Sequence, residues 1–179
     1  LSEFYEQWRL PLPAAAALPP GQIPQEYRRM LVHDRDMTPA LEAVHGGPLR
    51  LRVLHHAVAG EELTRAVVLL ANGGTPVAVG AIRIFLGRLP PAARNAALEN
   101  RDPFGAILAE YGVAHRSRPS AYFKVVADSL IREALGIRAS CGALFGRRNT
   151  IWNSVSEPLA EVAEILPPVR DGSHPGEKR

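Results

Sequence analysis

From Pro48 to Leu86 the apolar positions alternate or run unbroken between short turn signals. In "PLRLRVLHHAV", Leu49, Leu51 and Val53 alternate with Arg50, Arg52 and Leu54. "ELTRAVVLLA" follows Gly60 and is largely apolar on both faces, and "PVAVGAIRIFL" resumes after the turn "ANGGTP". A period of two predicts strands, and the short joins predict antiparallel pairing. "SAYFKVVA" suits a fourth strand, and "SEPLAEVAEILPP", apolar on both faces, predicts a buried last one. Helical signals lie on either side. "PQEYRRMLVHD" predicts a short helix with Tyr27, Leu31 and Met30 inward. In "DMTPALEAVHGG", Thr38 suits the N-cap, Pro39 the first helical position, and Gly46-Gly47 the end. "RLPPAARNAALEN" and "DPFGAILAEYG" predict two short helices broken at Asp102-Pro103, and "DSLIREALGI" fits either helix or loop. Grouped strands with helices around them, without βαβ alternation, predict an α+β fold: a mainly antiparallel sheet with flanking helices.

At 179 residues the chain suits one domain, expected at 27–169, after a proline-rich arm at 1–26 and before a flexible tail at 170–179. The arm is expected to carry a short helical turn at Glu3–Trp8. Apolar residues at 46% and charged residues at 22% argue against both disorder and a membrane span. No apolar run approaches bilayer length, and carboxylates precede the apolar part of the N-terminus, unlike a signal peptide. A cytoplasmic location is therefore expected. Cys141 is the single cysteine, so no intrachain disulfide forms. The net charge of +3 is scattered, and Arg147-Arg148 is too short for a nucleic-acid patch, so no nucleic-acid partner is expected. The six histidines show no zinc spacing, since the adjacent His55 and His56 would face opposite ways on a strand; no metal site is expected.

Two charges interrupt apolar runs. Glu164 lies between Pro158 and Pro168, and Arg65 shares a strand face with Leu63, Val67 and Leu69. A buried guanidinium needs an anion or several acceptors, so Arg65 requires either Glu164 or a ligand carboxylate. A structural Arg65–Glu164 ion pair is the commoner outcome for such residues. Arg83, flanked on its own face by Ala81 and Phe85, is a third candidate or a solvated strand-edge residue. "DMTP" and "DPFG" each open a helix, where free N–H groups receive an anion or are simply capped.

Four segments in order, from about Tyr27 to Pro168, resemble the chorismate lyase family, enzymes that eliminate pyruvate from chorismate to leave 4-hydroxybenzoate. They are "LVHDRDMTPALE", similar to an acidic-x-Met-Thr segment; "LTRAVVLLANGGTPVAVG", similar to the strand–turn–strand bearing the substrate arginine; "DPFGAIL", similar to the flap segment; and "FGRRNTIWNSVSEPLAEVAEILPP", similar to the closing Gly-Arg-Arg element and its Glu-x-x-x-Pro strand. The resemblance implies helical flaps over an internal ligand site, catalysis by Arg65 and Glu164, and substrate contacts from the main chain of Met37 and Phe104. It implies no cofactor, a carboxylate-bearing small-molecule substrate, no membrane partner and a monomer. Ala81 stands where lyases of the ubiquinone pathway have arginine, and Arg83, two residues on, is the expected substitute. Phe104 replaces the flap leucine. Two alternatives follow from these departures: a related enzyme on another acidic substrate of secondary metabolism, and a non-catalytic small-molecule sensor of the same fold.

Overall fold

The computed structural model describes Tyr5 and residues 11–169; the expected turn at Glu3–Trp8 lies largely, and the expected tail at 170–179 wholly, outside the described residues. One seven-stranded sheet, antiparallel throughout, dominates the chain. Its strands are β1 (Ala15–Leu18), β2 (Arg50–Ala59), β3 (Glu62–Leu70), β4 (Pro76–Phe85), β5 (His115–Val125), β6 (Leu144–Asn153) and β7 (Pro158–Leu166), in the order β1-β5-β6-β7-β4-β3-β2. Five α-helices are seen among the described residues: α1 (Gln25–Leu31), α2 (Met37–His45), α3 (Pro91–Glu99), α4 (Phe104–Glu110) and α5 (Ser129–Leu135). The fold is α+β, as the hydrophobic pattern predicts. No helix of the described residues is long and apolar enough to cross a membrane.

The β2–β3–β4 meander follows the alternation in the sequence, and β7 inserts between β4 and β6, which makes it central. Both of its faces are covered, Ala160 and Leu166 on one and Ile165 on the other, which is why it tolerates so continuous an apolar run. Two strands depart from expectation. The stretch 15–18 of the expected arm pairs with β5 as a short edge strand between prolines, which limits further pairing. The segment "LFGRRNTIWN" forms all of β6, although its arginines and asparagine mask a strand pattern. "DSLIREALGI" settles as helix α5 because the Asp128 side chain accepts the Ile131 N–H at 2.8 Å and Gly136 ends the helix in the left-handed region at φ 64°. Helix α2 begins at Met37 with Asp36 at its N-cap position, which corrects the expectation of Thr38 as cap. Thr38 and Pro39 lie inside the first turn, where a missing proline N–H still costs no intrahelical bond.

Helices α1 to α4 cover one face of the sheet, where two apolar clusters form. Leu63, Ile84, Ala160 and Ile151 pack under α3 and α4 at one end; Leu69, Ala78 and Leu166 pack under α1 and α2 at the other. The opposite face is covered by α5, with Val68, Val79, Val125 and Ile165 beneath Ile131 and Leu135.

Gly146 permits the close approach of β6 to this packing. A Cβ there would sit 2.7 and 2.8 Å from two Phe123 ring atoms and closer still to the Glu164 carbonyl oxygen. Gly146→Ala is therefore expected to cost about 3 kcal/mol or more, since a backbone atom cannot yield as a side chain can. A urea denaturation midpoint unchanged from wild type would contradict this.

Candidate functional site

Between the two apolar clusters, the helix-covered face carries polar side chains on two adjacent cross-strand rows. Register pairs Arg65 with Ile82, Ile82 with Val162 and Val162 with Asn149, so these four share one row and one face. The next row runs Val67, Gly80, Glu164, Arg147. A cavity of about 60 Å³ lies over both rows, lined by Arg65, Val67, Gly80, Ile82, Asn149, Val162 and Glu164 from the sheet. Asp36, Met37 and Thr38 at the start of α2, with Pro103, Phe104 and Gly105 at the start of α4, close it from above. The two helix starts touch, since a Cβ on Gly105 would lie 3.4 Å from Thr38 Oγ1.

Glu164 does have a cationic partner, and it is Arg147. The Arg147 Nε donates to Glu164 Oε2 at 3.1 Å, directly across from it in register. This corrects the expected Arg65–Glu164 pair: β7 lies between β6 and β4, and Arg147 is its immediate neighbour while Arg65 is two strands away. Arg147 is completely buried, and its remaining donors reach the chain between α1 and α2. Its Nη1 donates to Leu31 O at 3.4 Å and His33 O at 3.1 Å, and its Nη2 to Arg35 O at 3.1 Å. One guanidinium thus neutralises Glu164 and ties down the loop that leads into α2. Burial raises the Glu164 carboxyl above its ordinary value, and Arg147, by charge and hydrogen bond, only partly offsets this. His33 stays neutral beside it: burial and then the Arg147 charge lower its pKa, its Nε2–H donates to Met30 O, and its Nδ1 accepts the Arg35 N–H.

Arg65 is in the opposite situation. It is 1% exposed, yet no carboxylate of the described residues lies within ion-pair distance and its Nε has no hydrogen-bond partner. Its Nη1 reaches only the main-chain oxygen of Asp102, at a marginal 3.5 Å. Burial pulls its pKa down to about 10, with the more distant Asp102 carboxylate opposing the shift. A guanidinium held like this keeps donors that its own surroundings do not satisfy, and their planar fork suits an anion.

A third polar group completes the site and is invisible to residue-by-residue reading. The Asp36 carboxylate accepts from His115 Nε2 at 2.7 Å and from the Ser117 hydroxyl, and Asn149 Nδ2 donates to Ser117 Oγ at 3.2 Å. Because both Asp36 oxygens are so engaged, no side chain caps α2, whose first turn borders the cavity. Burial alone would raise the Asp36 pKa, but hydrogen bonds from His115 and Ser117 and the nearby charges outweigh it and hold it below 3.8. The Asp36 hydrogen bond raises His115 above 6.5 against the effect of burial. The pair is therefore fully charged between those two ordinary values. His115 loses its stabilising contribution as pH climbs through its raised pKa, and Asp36 loses its own as pH falls through its lowered one. The difference in unfolding free energy between wild type and His115→Gln, measured by urea denaturation, is expected to be largest at mildly acid pH and to shrink on both sides, with a maximum on the order of 1 kcal/mol. A pH-independent difference would show that the ion pair contributes nothing.

Of the residues singled out from the sequence, Arg65, Glu164, Met37 and Phe104 all line this one cavity. Arg83 does not. It lies on the other face of β4, 32% exposed at its side chain, with Glu62 at 3.5 Å and Glu161 at 3.8 Å. Keeping the face of Ala81 carries it away from the site, because the cavity uses Gly80 and Ile82. Arg147, Asn149, Asp36, Ser117 and His115 were missed. The available signal was the i, i+2 alternation of Arg147, Asn149 and Ile151 within "GRRNTIW".

No family model and no curated protein matches the chain. Its fold is similar to several solved structures. The ligand-binding domain of a protein assigned to the GntR family of transcriptional regulators, from Bordetella bronchiseptica, is 16% identical over 68% of this chain and 87% of that one, with a TM-score of 0.53. The effector domain of PhnF from Mycobacterium smegmatis is 14% identical over 75% and 90%, with a TM-score of 0.57. PhnF from the same organism is 13% identical over 92% and 84%, with a TM-score of 0.59. At these identities the likeness is one of fold.

Proposed function

We propose that the chain binds a small carboxylate-bearing molecule in the cavity over Arg65 and acts as a ligand sensor. The observation that carries this reading is the buried Arg65 guanidinium, which has no carboxylate partner among the described residues while every other charge at the site is matched. The ligand carboxylate would take the place of the missing anion and gain a charge-assisted, desolvated contact. The apolar walls supplied by Leu51, Val67, Ile82, Phe104 and Ile151 suit a ring or short hydrocarbon body. At about 60 Å³ the cavity holds only a few waters, so a ring enters only if the starts of α2 and α4 part. Two of the similar structures are described as a ligand-binding domain and an effector domain, which supports binding rather than turnover.

A second reading, a chorismate pyruvate-lyase without a cofactor, is favoured by one observation. Glu164 faces the same cavity on the row beside Arg65 with its pKa raised, which suits a carboxyl that donates to a departing ether oxygen. Calorimetric titration with chorismate and with 4-hydroxybenzoate, followed by chromatography of the mixture, separates the two. The sensor reading expects saturable binding with chorismate recovered intact. Equal amounts of pyruvate and 4-hydroxybenzoate would replace it with the lyase reading, and absence of binding by any small carboxylate would defeat both.

A further inference from the structure

The direction of the hydrogen bonds behind the cavity determines what its far end presents. His115 has an acceptor at each ring nitrogen, Val113 O at Nδ1 and Asp36 Oδ2 at Nε2, both at 2.7 Å, and only the doubly protonated ring satisfies both. Asp36, ionised and acceptor-only, takes the single proton of the Ser117 hydroxyl. Ser117 Oγ is left as an acceptor, which turns the amide nitrogen of Asn149 toward it at 3.2 Å. The orientation of a buried amide is ordinarily ambiguous, but here the chain of donors leaves one choice. Asn149 is 3% exposed, and its Oδ1 has no donor among the described residues.

From this arrangement we infer that Asn149 is a specificity-determining residue of the site, whose Oδ1 selects a carboxylate carrying an O–H or N–H donor at its opposite end. The inference rests on the reading of Arg65 as carboxylate anchor. Arg65 and Asn149 lie on the same cross-strand row, three strand steps apart, or about 14 Å between Cα atoms at about 4.8 Å per step. Between them the row offers Ile82 and Val162, so along this row the body of the ligand meets apolar surface, with the Arg147-paired Glu164 on the neighbouring row, while its two ends meet an unpaired donor and an unpaired acceptor. A ligand with no donor would leave Asn149 Oδ1 buried and unsatisfied, and that is the energetic basis of the selection. Ser117 and Asp36 act through Asn149 as positioning residues, because they hold the amide in this orientation.

Calorimetry with benzoate, 4-methoxybenzoate, 3- and 4-hydroxybenzoate and 4-aminobenzoate tests this in wild type, Asn149→Leu, Ser117→Ala and Arg65→Met. At least one donor-bearing probe is expected to bind about tenfold more tightly than both benzoate and 4-methoxybenzoate, as for one hydrogen bond to an otherwise unsatisfied group. Asn149→Leu is expected to abolish that advantage, chiefly by tightening the binding of benzoate and 4-methoxybenzoate, which no longer strand a buried Oδ1. Ser117→Ala, which frees the amide to turn, is expected to reduce it and serves as the readout where Asn149→Leu does not fold. Equal binding of donor and non-donor probes that is lost in Arg65→Met overturns this inference and leaves the carboxylate reading standing. An advantage that survives Asn149→Leu also overturns it. No binding of any probe to wild type overturns both.

Discussion

Arg65→Met is expected to abolish carboxylate binding and, in the same protein without ligand, to raise stability by about 1–3 kcal/mol. The two effects have one cause. Burial lowers the guanidinium pKa from 12.5 to about 10, so near neutrality the folded state holds a charge it would rather not carry, at a cost on the order of 3 kcal/mol. A methionine fills much of the same space without a charge and forfeits only the 3.5 Å contact to Asp102 O. Chemical denaturation checks the stability, and benzoate titration checks the binding. A structural arginine would behave in the opposite way, with its loss destabilising the fold, and that outcome would remove Arg65 from the ligand-binding role. Stability withheld at one buried position in this way is the usual mark of a site preorganised for something the free protein lacks.

Arg147→Met is expected to produce the largest loss of stability of any single change at the site, about 3–5 kcal/mol. The variant strips Glu164 of its one cationic contact among the described residues and deprives Leu31 O, His33 O and Arg35 O of a donor at once. The pH dependence reveals the mechanism. Glu164 titrates higher in the folded chain than in the unfolded one, so the folded state takes up a proton in the interval between the two pKa values, and stability falls as pH rises through it. Removing Arg147 widens that interval upward, so the variant is expected to lose further stability toward neutral pH and to recover part of it in acid. Adding Glu164→Leu to Arg147→Met should restore part of the loss, since two apolar groups replace an orphaned charge. A double variant no more stable than the single one would show that the loop carbonyls, rather than Glu164, are what Arg147 serves. Urea denaturation at several pH values measures all three effects.

How much of this was legible in the chain differs from element to element. The β2–β4 meander announced itself because each strand keeps its apolar period and each turn carries glycine. Helix α1 was equally plain, with Tyr27, Met30 and Leu31 buried as the spacing requires. Strand β6 was not, since Arg147 and Asn149 point inward and Arg148 outward, and no alternation of hydrophobicity survives. Glu164 and Arg65 were recognisable as charges in apolar surroundings, but the partner of each depends on which strand lies beside β7, and that is a property of topology rather than of spacing. Asp36 was hidden for a related reason. Thr38 satisfied the local rule for a cap, whereas the structure commits Asp36 to residues about eighty positions away in the chain. Local signals locate the elements; the pairing of buried charges emerges only when distant strands align.

The cross-strand row from Arg65 to Asn149 behaves as a ruler. Its divisions are set by backbone hydrogen bonding at about 4.8 Å per strand, so they cannot be stretched by repacking side chains. The span between anchor and selector therefore changes only in whole steps, when the polar group moves from one strand to the next along Ile82 and Val162. Divergence in such a fold would alter ligand chemistry gradually through the walls, while ligand length would move in jumps.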